Sequence, residues 1–273
     1  MGVITRFAPS PTGLLHLGHA YSALQGWRAA RRGGGIFRLR LEDIDRTRCR
    51  QEYADAILED LAWLGLNHEG EVRRQSRHLA DYRAALERLE AEGLIYPCFC
   101  TRAAIGAERA PHGTFGPIYP GTCRALPLAE REARRAAGLP FAWRLDAHMA
   151  EARTGPLRFE DDLAGRVEVD LSGHGDVVLA RKDTPTSYHL AVTVDDALQE
   201  VSLVTRGVDL LPATHIHRVL QALLGLPTPR YRHHRLLTDA DGRRYAKRDR
   251  ALTLASLRHA GHRPASVLAM IED

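Results

Sequence analysis

The chain has 273 residues, 44% hydrophobic and 26% charged, which suits a globular protein with one large α/β domain or two modest ones. No apolar run is long enough to span a bilayer, and the first residues lack a signal-peptide pattern, so membrane-spanning and secreted classes are set aside and a cytoplasmic protein is expected. The net charge of +4 points only weakly to nucleic acid, because arginine dominates and lysine occurs only as Lys182 and Lys247.

In chain order, Val3 to Ala8 reads as a strand. Leu17, Ala20, Tyr21, Leu24 and Trp27 recur at helical spacing, and Gly33-Gly34-Gly35 ends that helix. Ile36 to Leu41 alternates like a second strand. Strand, helix and strand predict a right-handed βαβ crossover. The loop after the first strand then lies at its carboxyl end, where open parallel sheets bind nucleotides. Tyr53, Ile57, Leu58 and Leu61 mark another helix, with Gly65 as its cap. Leu79, Tyr82, Leu86 and Leu89 mark a further one, closed by Gly93.

Residues 94 to about 175 break the pattern and read as an insertion, with an exposed helix from Leu128 to Ala137. Asp176–Arg181, Tyr188–Asp196 and Val201–Gly207 read as the second half of the sheet, and Pro212–Leu224 as a helix. The tail from Arg235 carries a hairpin-like turn at Asp239–Gly242, a basic loop and a final helix. The expected division is 1–94 for the first half of a Rossmann-type domain, 95–175 for the insertion, 176–234 for the second half and 235–273 for the basic loop and helical tail.

The loop after the first strand reads Pro9-Ser10-Pro11-Thr12-Gly13-Leu14-Leu15-His16-Leu17-Gly18-His19. Its histidines share one side of a helix's first turn, and its glycines let something approach the backbone. Metal, catalysis and nucleotide all remain open on these residues alone. With the strand before it and Gly18 between the histidines, the segment resembles the class I aminoacyl-tRNA synthetases. Their His-Ile-Gly-His signature reads here as His16-Leu17-Gly18-His19, and Arg6 to Gly13 looks like the glutamyl branch. The likeness continues through Val194-Asp195-Asp196 and Arg206 to Leu211.

This resemblance implies an α/β class I fold: a Rossmann-type parallel sheet, a zinc-containing insertion and a short C-terminal helical tail. It implies that His16 and His19 bind ATP and its transition state, with Pro9, Thr12, Gly13 and Gly18 beside them. It carries Arg6, Phe7, Ala8, Pro9, Ser10, Glu42, Tyr188 and Arg206 onto the glutamate site. Arg6 and Arg206 face the carboxylate groups there, and Glu42 meets the ammonium. The family's Lys-Met-Ser-Lys-Ser loop is matched by Arg244-Tyr245-Ala246-Lys247-Arg248, where only the second lysine is kept. Lys247 is expected on the ATP phosphates, with Arg244 as the first charge and Mg2+ as the counter-ion.

Cys98, Cys100 and Cys123 form a cluster that suits one structural zinc. Ligand chemistry favours His112 as the fourth donor, whereas the resemblance implies Tyr119. Cys49 belongs to no cluster. The sequence stops at Asp273, where longer relatives continue into an anticodon-binding region. That points to a short branch of the family. Its members activate L-glutamate with ATP without tRNA and place it on queuosine in the anticodon stem-loop of tRNA(Asp). A monomer is expected. The alternatives are a compact enzyme charging tRNA(Glu) and an inactive nucleotide- or RNA-binding paralogue.

Overall fold

Residues 2–107, 112–113, 116–237 and 253–272 are described in the computed structural model. The turn at Asp239–Gly242 lies outside them, as do Arg244 and Lys247. In chain order the elements are β1 (Ile4–Phe7), α1 (Leu17–Arg32), β2 (Ile36–Leu41), α2 (Gln51–Trp63), β3 (Arg73–Arg74), α3 (Leu79–Ala91) and β4 (Ile95–Cys98). Then come α4 (Arg102–Ala107), β5 (His112–Gly113), β6 (Gly116–Pro117), α5 (Leu128–Ala136), β7 (Ala142–Leu145), α6 (Ala147–Thr154), β8 (Arg158–Asp161) and β9 (Gly165–Glu168). The last are β10 (Val178–Ala180), α7 (Tyr188–Leu198), β11 (Leu203–Gly207), α8 (Leu211–Leu223), β12 (Arg230–His234), α9 (Leu254–His259) and α10 (Pro264–Ala269).

The first strand, helix and strand form the expected parallel unit. β1 pairs with β2 from Ile4 opposite Ile36 to Phe7 opposite Leu39, and β2 pairs in parallel with β3. On its other side β1 lies against β11, where Ser202 N donates to Ile4 O at 2.9 Å. β11 in turn pairs in parallel with β12. α1 rests directly on these strands because of Gly26. A Cβ there would lie 2.9 Å from Thr205 Oγ1 and 3.2 Å from the Phe37 ring. Phe37, Leu39 and Ile57 are completely buried, each contributing about 1.5–3 kcal/mol by leaving water. Leu254, Leu257, Val267 and Ile271 of the tail join the same core.

Three expectations change. Tyr188 to Leu198 is a helix, not a strand. Its stretch from Leu190 to Asp196 is buried throughout, so no polar face revealed a period, and short apolar runs do not separate the two states. The Ser187 hydroxyl caps it by accepting from Leu190 N. Second, β10 does not enter the main sheet. It pairs antiparallel with β7, which pairs antiparallel with β4, giving the insertion a sheet of its own. Third, the tail holds two short helices. Gly261, at φ +82, and Pro264 at the start of α10 separate them.

α5 buries none of its residues, as its composition predicts. Among the described residues no helix is long and apolar enough to cross a membrane.

Candidate active site

α1 begins at the histidine loop. His16 is its N-cap, and its Nδ1 accepts from Gly18 N at 3.1 Å. His16 N donates to His19 Nδ1 at 3.2 Å. Each neutral ring therefore uses its Nδ1 lone pair and carries its proton on Nε2. The two ring centroids lie 3.8 Å apart. Gly18 has a local reason as well, since a Cβ there would sit 3.1 Å from the His16 ring.

A cleft of about 1190 Å³ opens at the carboxyl ends of β1, β2 and β11. It brings together Arg6, Phe7, Ala8, Pro9, Ser10, Thr12, His19, Glu42, Tyr188 and Arg206. Gly13, His16 and Gly18 belong to the same loop without lining the cleft. The opposite wall comes from the insertion and β10, through Cys100, Ile105, Arg144 and Val178. Lys182, beyond β10, also lines it and donates to Phe99 O at 2.9 Å, tying that segment to the insertion within the same wall.

The charges are unevenly matched. Arg6 is buried, donating to Asp196 Oδ1 at 3.0 Å and to Thr205 O at 3.0 Å. Arg40 is completely buried and holds Asp196 at 2.7 Å, Gln199 at 2.9 Å and Glu42 at 3.3 Å. Burial alone would raise the Asp196 carboxyl, but the Arg40 and Arg6 guanidiniums hold it below its ordinary range. Burial dominates at Glu42 and lifts its carboxyl, against the pull of Arg40 and Arg6.

Arg206 differs. It donates to His233 Nε2 at 3.1 Å, His217 Nδ1 at 3.2 Å, Tyr188 Oη at 3.5 Å and Thr214 Oγ1 at 2.6 Å. Among the described residues none of these partners is a carboxylate. Of the three buried arginines at the site, Arg206 is the one whose charge is left for a bound anion.

The cysteines also converge. The ligand atoms of Cys98, Cys100 and Cys123 lie within 4.8 Å of one another. Tyr119 Oη is 3.5 Å from Cys100 Sγ and accepts from Cys123 N at 2.7 Å. Three thiols and a phenol around one point form a donor set that fits tetrahedral zinc. The His112 side chain lies outside the described residues. Cys49 stands apart, with its Sγ 3.9 Å from Glu42 O.

Sequence reading did not assign Arg40, Asp195, Asp196, His217 or His233 a place in this site. Arg40 occupied a polar position in an alternating strand, a pattern that gives no sign of its complete burial. The available signal was the Asp195-Asp196 pair inside an apolar run, because buried carboxylates require cations. The histidines gave no signal, since their partners come from distant segments.

A family model described as tRNA synthetases class I (E and Q), catalytic domain, matches residues 2–272. The chain is 47% identical over 283 residues to the Glutamyl-Q tRNA(Asp) synthetase of Rhodobacter capsulatus, covering 98% of this chain and 99% of that protein. It is 46% identical over 274 residues to the protein of the same name from Nocardia farcinica, covering 100% and 85%. It also resembles the crystal structure of a glutamate tRNA ligase from Elizabethkingia meningosepticum in complex with its amino acid. The TM-score is 0.82 at 26% identity, and the match covers 99% of this chain and 60% of that one. With an α/β parallel sheet and a family match running from residue 2 to 272, the chain belongs to the class I (E and Q) tRNA synthetase catalytic-domain family and is a ligase of the glutamate–tRNA type.

Proposed function

We propose that this protein activates L-glutamate with ATP as glutamyl-adenylate, without tRNA, and then transfers glutamate to the queuosine base in the anticodon of tRNA(Asp). The observation that carries this reading is the end-to-end match, at 47% identity, to a relative named for that substrate.

In activation, a glutamate α-carboxylate oxygen attacks the α-phosphorus of ATP, the bond to the bridging oxygen breaks, and pyrophosphate leaves. Negative charge grows on the α-phosphate and the leaving group. The Nε2–H groups of His16 and His19, at the positive end of α1, are suited to receive it. Thr12, Gly13 and Gly18 flank the nucleotide, and Mg2+ enters with ATP. Arg206 takes the side-chain carboxylate. Arg6 supports it with a charge already shared with Asp196. Glu42, held by Arg40, takes the ammonium. Phe7, Ala8, Pro9, Ser10 and Tyr188 shape the wall.

Arg244 and Lys247 supply the remaining cations for the phosphates. Lys247→Ala is expected to slow glutamate-dependent ATP–pyrophosphate exchange by about 10²–10³-fold with an unchanged melting temperature. A near-normal rate would remove Lys247 from the site.

Cys98, Cys100, Tyr119 and Cys123 would hold one zinc, which when bound cross-links a lobe with a small apolar core. Purified protein is expected to contain zinc at about one per chain. Cys98→Ser should lose both metal and thermal stability; native protein free of zinc would refute the site.

In transfer, a hydroxyl of queuosine's cyclopentenediol attacks the adenylate's acyl carbon and AMP leaves. The insertion-side arm of the cleft, with Arg144, Arg181 and Lys182, suits the phosphates and splayed bases of an RNA loop. The deciding experiment offers labelled glutamate to tRNA(Asp) with and without queuosine, beside tRNA(Glu). Label confined to queuosine-containing tRNA(Asp) supports the proposal. The likeness to a solved glutamate tRNA ligase favours a second reading, charging of tRNA(Glu), which label on that tRNA would establish. Label on neither would favour the inactive paralogue.

A further inference from the structure

Behind the cleft, the partners of Arg206 among the described residues are all uncharged acceptors. Arg206, His217 and His233 are 5%, 3% and 4% exposed, and Thr214 is completely buried. The other two buried arginines at the site, Arg6 and Arg40, rest on the Asp196 carboxylate.

Hydrogen-bond geometry fixes the proton on each ring. A guanidinium offers only donors, so a ring nitrogen facing it must bring a lone pair. His233 Nε2 faces Arg206 Nε, so the His233 proton sits on Nδ1 and is donated to Asp161 Oδ2 at 2.6 Å. Asp161 is itself fixed by the N–H groups of Leu163 and Ala164, at 2.9 and 2.8 Å. His217 Nδ1 faces Arg206 Nη1, so its proton sits on Nε2 and is donated to His189 Nδ1 at 3.2 Å. His189 lines the cleft. Two relays thus meet on one guanidinium: Asp161–His233 from β8 and β12, and His189–His217 from α7 and α8.

We propose that His217 and His233 are specificity-determining positioning residues: neutral imidazoles of opposite tautomer that aim Arg206 into the cleft while leaving its charge unneutralised. They thereby set the preference for an acidic side chain over its neutral amide analogue. The inference rests on the glutamate reading above and adds to it the residues that make the seat charge-selective. An acid at either position would orient Arg206 equally well but cancel its charge at close range in a low-dielectric setting. Asp161 reaches Arg206 only across the width of an imidazole ring. The surroundings keep the rings neutral. Burial, then the Arg206 cation, push His233 and His189 down to about 4 and His217 well below its ordinary value.

The test measures ATP–pyrophosphate exchange with glutamate and with glutamine, beside nitrogen NMR of isotope-labelled histidines. His217→Gln, which keeps an acceptor for Arg206 and a donor for His189, should hold the glutamate KM within about threefold of the parent. His217→Glu should raise that KM by about 10–100-fold and lower the glutamate-over-glutamine preference by a similar factor. The KM for ATP should stay unchanged in both. A folded His217→Glu protein with unaltered KM and preference would overturn the proposal.

Should that variant not fold, the spectrum of the parent protein decides. His233 should carry its proton on Nδ1 and His217 on Nε2 from about pH 6 to 8, assigned by loss of each signal in His233→Gln and His217→Gln. An imidazolium or the reverse tautomer at either ring would overturn the proposal. Failure of the glutamate reading is distinguishable, because the parent would then show no glutamate-dependent exchange while keeping these tautomers, and the selectivity role would fall with it.

Discussion

Arg206→Ala is expected to lower kcat/KM for glutamate by about 10²–10³-fold, equivalent to about 3–4 kcal/mol, while the KM for ATP stays close to that of the parent. The size follows from what the variant leaves behind. A substrate carboxylate would still have to leave water, yet it would meet only Arg6, whose charge is shared with Asp196 at 3.0 Å. The loss should concentrate in the glutamate requirement because Arg206 lies among Tyr188, His217 and His233, whereas the groups proposed to bind the nucleotide are at the start of α1. Exchange kinetics at varied glutamate and varied ATP make the test. Equal rises in both requirements would remove Arg206 from side-chain recognition.

The second large effect is expected on stability. Asp195→Ala should cost about 3–5 kcal/mol and lower the melting temperature by about 10 °C. The Asp195 carboxylate is completely buried. It accepts from Arg73 Nε at 2.6 Å, Gln75 Nε2 at 2.8 Å and Tyr82 Oη at 2.9 Å, and Arg40 Nε lies 3.6 Å away. These partners come from β3, the turn after it, α3 and β2, so one carboxylate joins α7 to four neighbouring segments. Removing it leaves buried donors unmatched, which costs far more than losing an exposed ion pair. A loss below about 1 kcal/mol would mean that water or rearrangement replaces the network.

Its neighbour adds a pH signature. The folded Asp196 carboxyl titrates below its unfolded value near 3.9, so its stabilisation is complete at neutral pH. It is lost as pH falls through about 4 toward the folded value. Glu42 acts in the opposite sense. Burial lifts its folded titration, so its contribution becomes less favourable as pH rises above about 4.3.

Local chemistry made the first half of the molecule legible. Strand alternation, helical spacing and the glycine stops located β1, α1 and β2, because each depends on a few neighbouring residues. The loop from Pro9 to His19 was readable for the same reason, since its histidines cap their own helix within three residues. The converging cysteines were visible as a compositional cluster. Local pattern failed where burial was uniform. Tyr188–Leu198 had no solvent face to reveal its period, and only packing made it a helix. Arg40 sat at a polar position in an alternating strand, and only carboxylates from a helix more than 150 residues away made its burial tolerable. The order of residues along the chain was enough to single out candidate reactive groups and the loop that presents His16 and His19. Which charge stays available depends on contacts between distant segments. Arg6 and Arg206 look equivalent along the chain, and they differ because folding gives one a carboxylate and the other neutral imidazoles.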